Sequence, residues 1–225
     1  MLGVCRVVAF LSGGKCGSTA LASYLKHAPP DYVLYDHTSQ FYDTGKELCG
    51  QLPKTNCTAH ILDACPRRVT KIRAEQTLKI DPAAVGVLLV RSQADALLSL
   101  YRDIASSGRV GGMSADEWVL LNLSNQQYNF TAAFNDAVHW GFEAESIVVI
   151  KSAEMKRRPE IYVNRVRMAA GLLPVKITVP QLFNNPVVDR SRYREGSLSY
   201  TTRQRVEHHW HNTNLEFARL TGVVV

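Results

Sequence analysis

The stretch VCRVVAFLSGGKCGSTALASYL, residues Val4–Leu25, decides the fold of this chain. Its first part, Val4–Leu11, is an apolar run of the kind found in strands buried on both faces of a sheet. Ser12–Gly17 then predicts a glycine-rich turn. Ser18 and Thr19 predict the cap of a helix that continues to the end of the stretch. A strand, a tight turn and a helix in this order predict a β-loop-α unit.

The same alternation continues along the chain. Further strands are predicted at Tyr32–Tyr35, Val69–Ile72, Val85–Val90 and Ile147–Ile150. Further helices are predicted at Ala94–Ala105, from a capping box at Ser114, at Glu160–Leu172 and at Thr201–Leu220. Thr38–Arg68 has no clear period and is expected to hold one helix and loops. The pattern predicts an α/β protein with a parallel sheet and helices on both faces, in a single domain over residues 1–225.

The composition and net charge limit the chemical classes of ligand that this chain is expected to bind. The chain has 225 residues, of which 46% are hydrophobic and 20% charged, as in a globular domain with a full core. A net charge of +6 favours anionic ligands such as a nucleotide, a nucleic acid or an acidic polysaccharide. The basic residues are spread along the chain without a basic helix, a zinc-finger spacing or an RNA-binding aromatic motif, which argues against nucleic acid.

Ligands of open parallel sheets bind at the carboxyl ends of the strands. The groups expected there are the Gly13–Gly17 loop, Asp36 with His37, Lys71, Arg91 and Lys151. Most of them are basic, so this edge of the sheet is predicted to bind an anion.

The glycine-rich loop carries the first chemical motif. Its backbone N–H groups and the following helix end can bind a phosphate, and Lys15 adds a mobile charge. It is not a Walker A loop, because no Ser or Thr directly follows Lys15. The order Gly-x-Lys-x-Gly-Ser-Thr resembles the 5′-phosphosulfate loop of sulfotransferases that use 3′-phosphoadenosine 5′-phosphosulfate (PAPS). An ordinary glycine-rich turn is the alternative. The resemblance implies that the donor contacts Gly13, Gly14, Lys15, Cys16, Gly17, Ser18 and Thr19.

The second motif lies at the strand Val85–Val90. Sulfotransferases bind the donor's 3′-phosphate with an arginine at a strand end, a serine eight residues later and an aromatic residue two further on. Arg91, Ser99 and Tyr101 match this spacing. The chain departs from the family at Gln93, where a proline is usual.

The C-terminal part also resembles these enzymes. Trp210, Asn214, Leu215 and the closing Leu220-Thr221-Gly222 are similar to the family's last helix. Arg192, Arg194 and Gly196 match its basic, glycine-containing loop over the nucleotide. A solvated basic loop is the alternative reading there. The implied fold is the sulfotransferase fold, a P-loop-type parallel sheet flanked by helices.

The resemblance also implies catalytic roles. Lys15 is assigned to the leaving phosphate oxygen, and Lys71 is either a second cation or a solvated residue. Asp36 is the first candidate for the base that deprotonates the acceptor, because related carbohydrate and tyrosine sulfotransferases have a carboxylate after the second strand. His37 is the second candidate, since imidazole titrates near neutral pH. Glu75 is a third.

The implied reaction moves a sulfuryl group from PAPS to an acceptor hydroxyl or amine without a metal. The basic charge and the carboxylate-type base favour a carbohydrate acceptor, with protein tyrosine and then small alcohols or phenols next. In style the chain resembles the carbohydrate (heparan-type) and tyrosyl-protein sulfotransferases. Two alternatives stay open: a small-molecule kinase using ATP and magnesium, and a non-catalytic protein that binds acidic glycans. The sequence does not indicate the oligomeric state.

The compartment has two readings. No apolar run reaches the roughly 20 residues of a membrane span, and the start is not a signal peptide, which favours the cytoplasm if the chain is complete. Clustered cysteines at Cys49, Cys57 and Cys65, with sequons at Asn56, Asn122 and Asn129, favour the Golgi lumen if an anchor has been removed. The cysteines could form one disulfide or remain reduced.

Overall fold

Five strands form one parallel sheet in the computed structural model, which describes residues 6–12, 15–27, 32–35, 60–63, 70–177 and 196–225. The strands are β1 (Val7–Phe10), β2 (Tyr32–Tyr35), β3 (His60–Asp63), β4 (Val85–Val90) and β5 (Ile147–Lys151). They lie in the order β2-β3-β1-β4-β5, and all neighbouring pairs are parallel. The predicted α/β class with a parallel sheet is therefore confirmed.

The apolar runs of the sequence occupy the middle of this sheet. Every residue of β1 and β4 is buried, and the two strands pair directly, with Val8 opposite Val85. β1 also pairs with β3 on its other side. The chain thus leaves β1 towards one side of the sheet and later crosses to β4 on the other. The turns after β1 and β4 therefore lie next to each other at the switch point where such sheets bind ligands.

Eight α-helices surround the sheet in the described part of the chain. They are α1 (Ser18–His27), α2 (Lys71–Ile80), α3 (Gln93–Ser106), α4 (Ala115–Leu121), α5 (Phe130–His139), α6 (Ser152–Arg157), α7 (Pro159–Ala169) and α8 (Tyr200–Thr221). α1 packs on α7, which covers β4 and β5, while α5 covers β4 and packs on α8. The sheet is thereby covered on both faces, as predicted.

The helix ends follow the capping signals in the sequence. Ser114 and Glu117 form the predicted capping box at the start of α4, each side chain accepting a hydrogen bond from the other residue's backbone N–H. Gly222 ends α8 in the left-handed conformation and donates its N–H to the Ala218 carbonyl. The described helices are all too short or too polar to cross a lipid bilayer.

The strand predicted at Val69–Ile72 is wrong. Thr70 caps α2 by accepting a hydrogen bond from the Arg73 N–H, and Lys71 begins that helix. The residues that follow (Arg-Ala-Glu-Gln-Thr-Leu-Lys) are mostly good helix formers, which outweighs the short β-branched piece. The third strand is instead His60–Asp63, inside a segment predicted to hold one helix and loops.

Candidate anion-binding site

The loop after β1 has an unusual backbone. Lys15 has a φ of +68° and Gly17 a φ of +97°, and Lys15 is the only non-glycine residue with a positive φ in the described part of the chain. Left-handed backbone costs a side-chain-bearing residue about 1–2 kcal/mol, so the surrounding structure must hold Lys15 in place. The loop then enters α1 at Ser18. Gly13 and Gly14 lie outside the described residues.

Two neighbouring strand ends hold the loop through its carbonyl groups. The Arg91 guanidinium donates a hydrogen bond to the Lys15 carbonyl with an Nη1–O distance of 3.1 Å. The buried Ser152 hydroxyl donates to the Cys16 carbonyl. In a trans peptide the N–H points opposite to the C=O of the same unit. The N–H groups of Cys16 and Gly17 therefore point away from Arg91 and Ser152, and such successive N–H groups form an anion-binding concavity.

The Arg91 contact joins the two motifs found in the sequence. Arg91 directly follows β4, and Ser99 lies half-buried on α3 two turns into the helix. The loop predicted to bind the phosphosulfate and the strand end predicted to bind the 3′-phosphate thus lie side by side at one edge of the sheet. Two cationic residues, Lys15 and Arg91, therefore meet at this edge of the sheet.

The departure from the family at Gln93 has a structural explanation. Gln93 is 5% exposed, and its amide pairs with the amide of Asn214 on α8 through two hydrogen bonds of 2.8 and 3.2 Å. The start of α3, directly after Arg91, is therefore fastened to the last helix by an amide pair where the family usually has proline. Trp210 is buried on the same helix, consistent with its expected packing role, whereas Leu215 is 48% exposed.

Burial keeps the Cys16 thiol protonated. The Cys16 side chain is fully buried, and this burial raises the pKa of its thiol to about 12. The positive charge of Arg91 opposes the shift. Burial likewise raises the pKa of the Tyr128 phenol, which lies in the field of the same arginine. Burial therefore favours the neutral form of both side chains at physiological pH.

Gly196 docks against α3 and the start of α4. Arg102 donates a hydrogen bond to the Gly196 carbonyl at 2.7 Å. The Tyr101 ring packs against Gly196, while the Tyr101 hydroxyl donates to the Met113 carbonyl. Three residues later, the Ser199 N–H donates to Asp116, which lowers the pKa of that carboxyl. The Gly196–Ser199 segment is thus fixed on α3 and α4.

Replacing Gly196 with alanine should destabilise the protein by about 2–3 kcal/mol. Its φ is +90°, and an added Cβ would lie 3.1 Å from the Tyr101 ring and 3.2 Å from the Ala115 Cβ. Gly108→Ala is the matched control, because Gly108 has a φ of +72° with nothing within 4 Å of the added atom. Urea unfolding gives the free energy of unfolding of both variants. The extra loss at Gly196 measures the steric cost of the added Cβ, because both variants have the cost of alanine at a positive φ. Equal losses of stability would show that Gly196 is not docked on Tyr101.

Replacing Ser152 with alanine should cost about 1–3 kcal/mol of stability, because it leaves the buried Cys16 carbonyl without its partner. Ser107→Ala is the control. The Ser107 hydroxyl also donates to a backbone carbonyl, but this bond is exposed, and its loss should cost less than about 0.5 kcal/mol. Chemical denaturation measures both. A Ser152 variant as stable as the control would remove Ser152 from the support of the loop.

Several predicted site residues lie outside the described residues. They are Asp36, His37, Arg192, Arg194 and the cysteines Cys49, Cys57 and Cys65, in addition to the two loop glycines. Lys71 is described: its side chain is 67% exposed, and its ammonium lies 3.8 Å from a Glu75 carboxylate oxygen. This geometry supports the alternative that Lys71 is a solvated surface residue. Its partner, Glu75, is the third candidate for the base.

Sequence reasoning missed three residues of the site. Asp103 forms an ion pair with Lys15, Ser152 holds the loop, and Gln93 fastens the start of α3. Two local signals were available. Asp103 lies four residues after Ser99, at the spacing that places two residues on one helix face, and Ser152 directly follows the end of a buried strand.

The fold is of the P-loop-like α/β class, with the loop after β1 at the switch point of its sheet. No protein-family model matches the sequence, and no curated protein matches it. A crystal structure of a sulfotransferase from Alicyclobacillus acidocaldarius matches with a TM-score of 0.67 and 12% sequence identity, covering 99% of this chain and 98% of the other. The chain therefore has the sulfotransferase fold, as its motifs predicted.

Proposed function

We propose that this protein is a PAPS-dependent sulfotransferase. The observation that carries the proposal is the hydrogen bond from Arg91 to the Lys15 carbonyl, because it joins the end of β4 to the loop after β1, the two elements to which the proposal assigns the donor's phosphates. A doubly phosphorylated nucleotide needs two such elements. The fold shared with a sulfotransferase supports the same proposal.

The donor's two phosphate groups are assigned to different elements. The 5′-phosphosulfate lies at the loop, where the N–H groups of Cys16 and Gly17, the start of α1 and the Lys15 ammonium can reach it. The 3′-phosphate lies at Arg91 and Ser99, where a guanidinium fork and a hydroxyl are available. Gly13, Gly14, Ser18 and Thr19 complete the loop, and Arg192, Arg194 and Gly196 cover the nucleotide.

The chemistry then resembles phosphoryl transfer. The acceptor attacks the sulfur in line while the leaving phosphate departs, and fixed cations stabilise the charge that develops on the transferring group. Lys15 stabilises the leaving oxygen. Asp36 or His37 takes the acceptor's proton, and no metal is required. The acceptor is a carbohydrate hydroxyl or amine in this proposal, with protein tyrosine next.

Ligand-dependent thermal unfolding tests the donor. The product nucleotide 3′-phosphoadenosine 5′-phosphate at about 100 times its Kd should stabilise the protein by about 2.7 kcal/mol. ATP with magnesium should give a much smaller shift. Stabilisation by ATP with magnesium alone would reject the sulfotransferase and favour the kinase, in which Asp36 would hold the metal.

Turnover tests the reaction. The protein is incubated with sulfur-labelled PAPS and a panel of glycans, tyrosine peptides and small alcohols, and label on an acceptor is measured. Arg91→Ala serves as the reference with weakened donor binding and should transfer less label. Glycan binding without transfer of label would favour the non-catalytic glycan-binding alternative.

A further inference from the structure

A carboxylate lies inside the predicted anion site. The Lys15 ammonium lies 2.9 Å from an Asp103 carboxylate oxygen, and the two side chains are 30% and 34% exposed. Asp103 belongs to α3, one turn beyond Ser99 on the same helix face. The lysine assigned to the donor is therefore already paired with an acid from the helix that carries the other phosphate-binding hydroxyl.

This position is unfavourable for a purely structural ion pair in an anion-binding protein. A phosphate that contacts Lys15 and a phosphate that contacts Ser99 would each lie near the Asp103 carboxylate, and like charges at such distances repel in a partly buried site. Solvent still reaches and screens this half-buried ion pair, and such pairs add little stability, about 0–1 kcal/mol, so stability alone gives a weak reason for a charge that opposes the ligand.

We propose that Asp103 is a competing counter-ion that holds Lys15 in the ligand-free protein and releases it when the anionic donor binds. The inference rests on the proposed function. Lys15 then exchanges one anionic partner for another, so its net contribution to binding is the difference between the two attractions. After transfer, Asp103 recaptures Lys15, which weakens the hold on the product nucleotide and favours its release.

An Asp103 that competes with the donor and an Asp103 that orients Lys15 have opposite effects on nucleotide binding. If Asp103 competes with the donor, then removing its charge tightens nucleotide binding, and Lys15 contributes more once its competitor is gone. If Asp103 instead orients Lys15 towards the donor, then removing the charge weakens binding, and Lys15 contributes less. The sign of the change and the coupling between the two residues therefore separate the two roles.

A double-mutant cycle measures both quantities. The proteins are wild type, Asp103→Asn, Lys15→Asn and the double variant, and the probes are 3′-phosphoadenosine 5′-phosphate and inorganic pyrophosphate, titrated calorimetrically. Asp95→Asn is the matched control, because Asp95 lies on the same helix but pairs with Arg203 at 3.0 Å. Asparagine preserves the shape of the aspartate side chain and removes only its charge.

Asp103→Asn should bind the nucleotide about tenfold more tightly than wild type, and Asp95→Asn should stay within about twofold. Lys15→Asn should weaken binding by a larger factor in the Asp103→Asn background than in wild type. Unchanged or weaker binding by Asp103→Asn, or a smaller effect of Lys15→Asn in its background, would overturn the exchange.

The two probes separate the inference from the proposed function. Tighter pyrophosphate binding by Asp103→Asn, without any binding of the nucleotide, would support exchange at the loop and reject PAPS as the donor. Nucleotide binding that does not change in Asp103→Asn would support the donor and reject exchange. Failure of all four proteins to bind either probe would reject both.

Discussion

Arg91→Ala should weaken the binding of 3′-phosphoadenosine 5′-phosphate by about 2–5 kcal/mol, which corresponds to a Kd about 30-fold to several-thousand-fold higher. The variant loses a guanidinium fork for the 3′-phosphate. It also loses the 3.1 Å hydrogen bond to the Lys15 carbonyl, so the loop after β1 loses one of the two side chains that hold its carbonyl groups. Isothermal titration calorimetry measures the change directly.

Two further variants show whether the lost affinity comes from the guanidinium group of Arg91 or from a general loss of positive charge. Arg91→Lys keeps the charge but not the planar fork, so its Kd should lie between those of wild type and the alanine variant. Arg219→Ala removes an exposed arginine from α8 and should leave the Kd unchanged. Wild-type affinity in Arg91→Ala would remove this residue from the donor site.

Lys15→Asn should slow sulfuryl transfer about 100- to 1000-fold, because the leaving oxygen loses the cation that stabilises it in the transition state. Asparagine is the appropriate replacement here. It tolerates the left-handed conformation that Lys15 adopts at a φ of +68°, so the loop backbone keeps its shape while the charge is lost. Single-turnover transfer of labelled sulfate to the acceptor found in the panel gives the rate.

The control for this variant is Lys15→Arg, which keeps a cation in the loop and should retain more of the transfer rate than asparagine does. Thermal unfolding of each variant separates loss of chemistry from loss of fold. Transfer at the wild-type rate by a folded Lys15→Asn variant would contradict the assigned role of the lysine.

The elements that the sequence predicts well are those whose signals are local. The apolar runs of β1 and β4 and the Ser114 capping box each depend on a few adjacent residues, and the structure has all of them. The error at residues 69–72 has a local cause too. A short β-branched piece resembled a strand, while the cap at Thr70 and the helix formers after it determined the outcome.

The specific hydrogen bonds that support the loop could not be predicted from the sequence, because they join residues far apart in the chain. Arg91 meets the Lys15 carbonyl across 76 residues of chain, and Ser152 meets the Cys16 carbonyl across 136. In the sequence alone, each side chain is an ordinary polar residue at the end of a strand. Only the order of the strands in the sheet brings these groups together, and that order follows from packing of the whole domain.

The amide pair between Gln93 and Asn214 has a consequence for how the protein is made. The two residues are 121 positions apart, and the chain is synthesised from its N-terminus. All five strands are translated well before Asn214, so a nascent chain can assemble its sheet while the turn beyond Arg91 still lacks its fastening. The turn beyond Arg91 can therefore be fastened only after α8 has been translated.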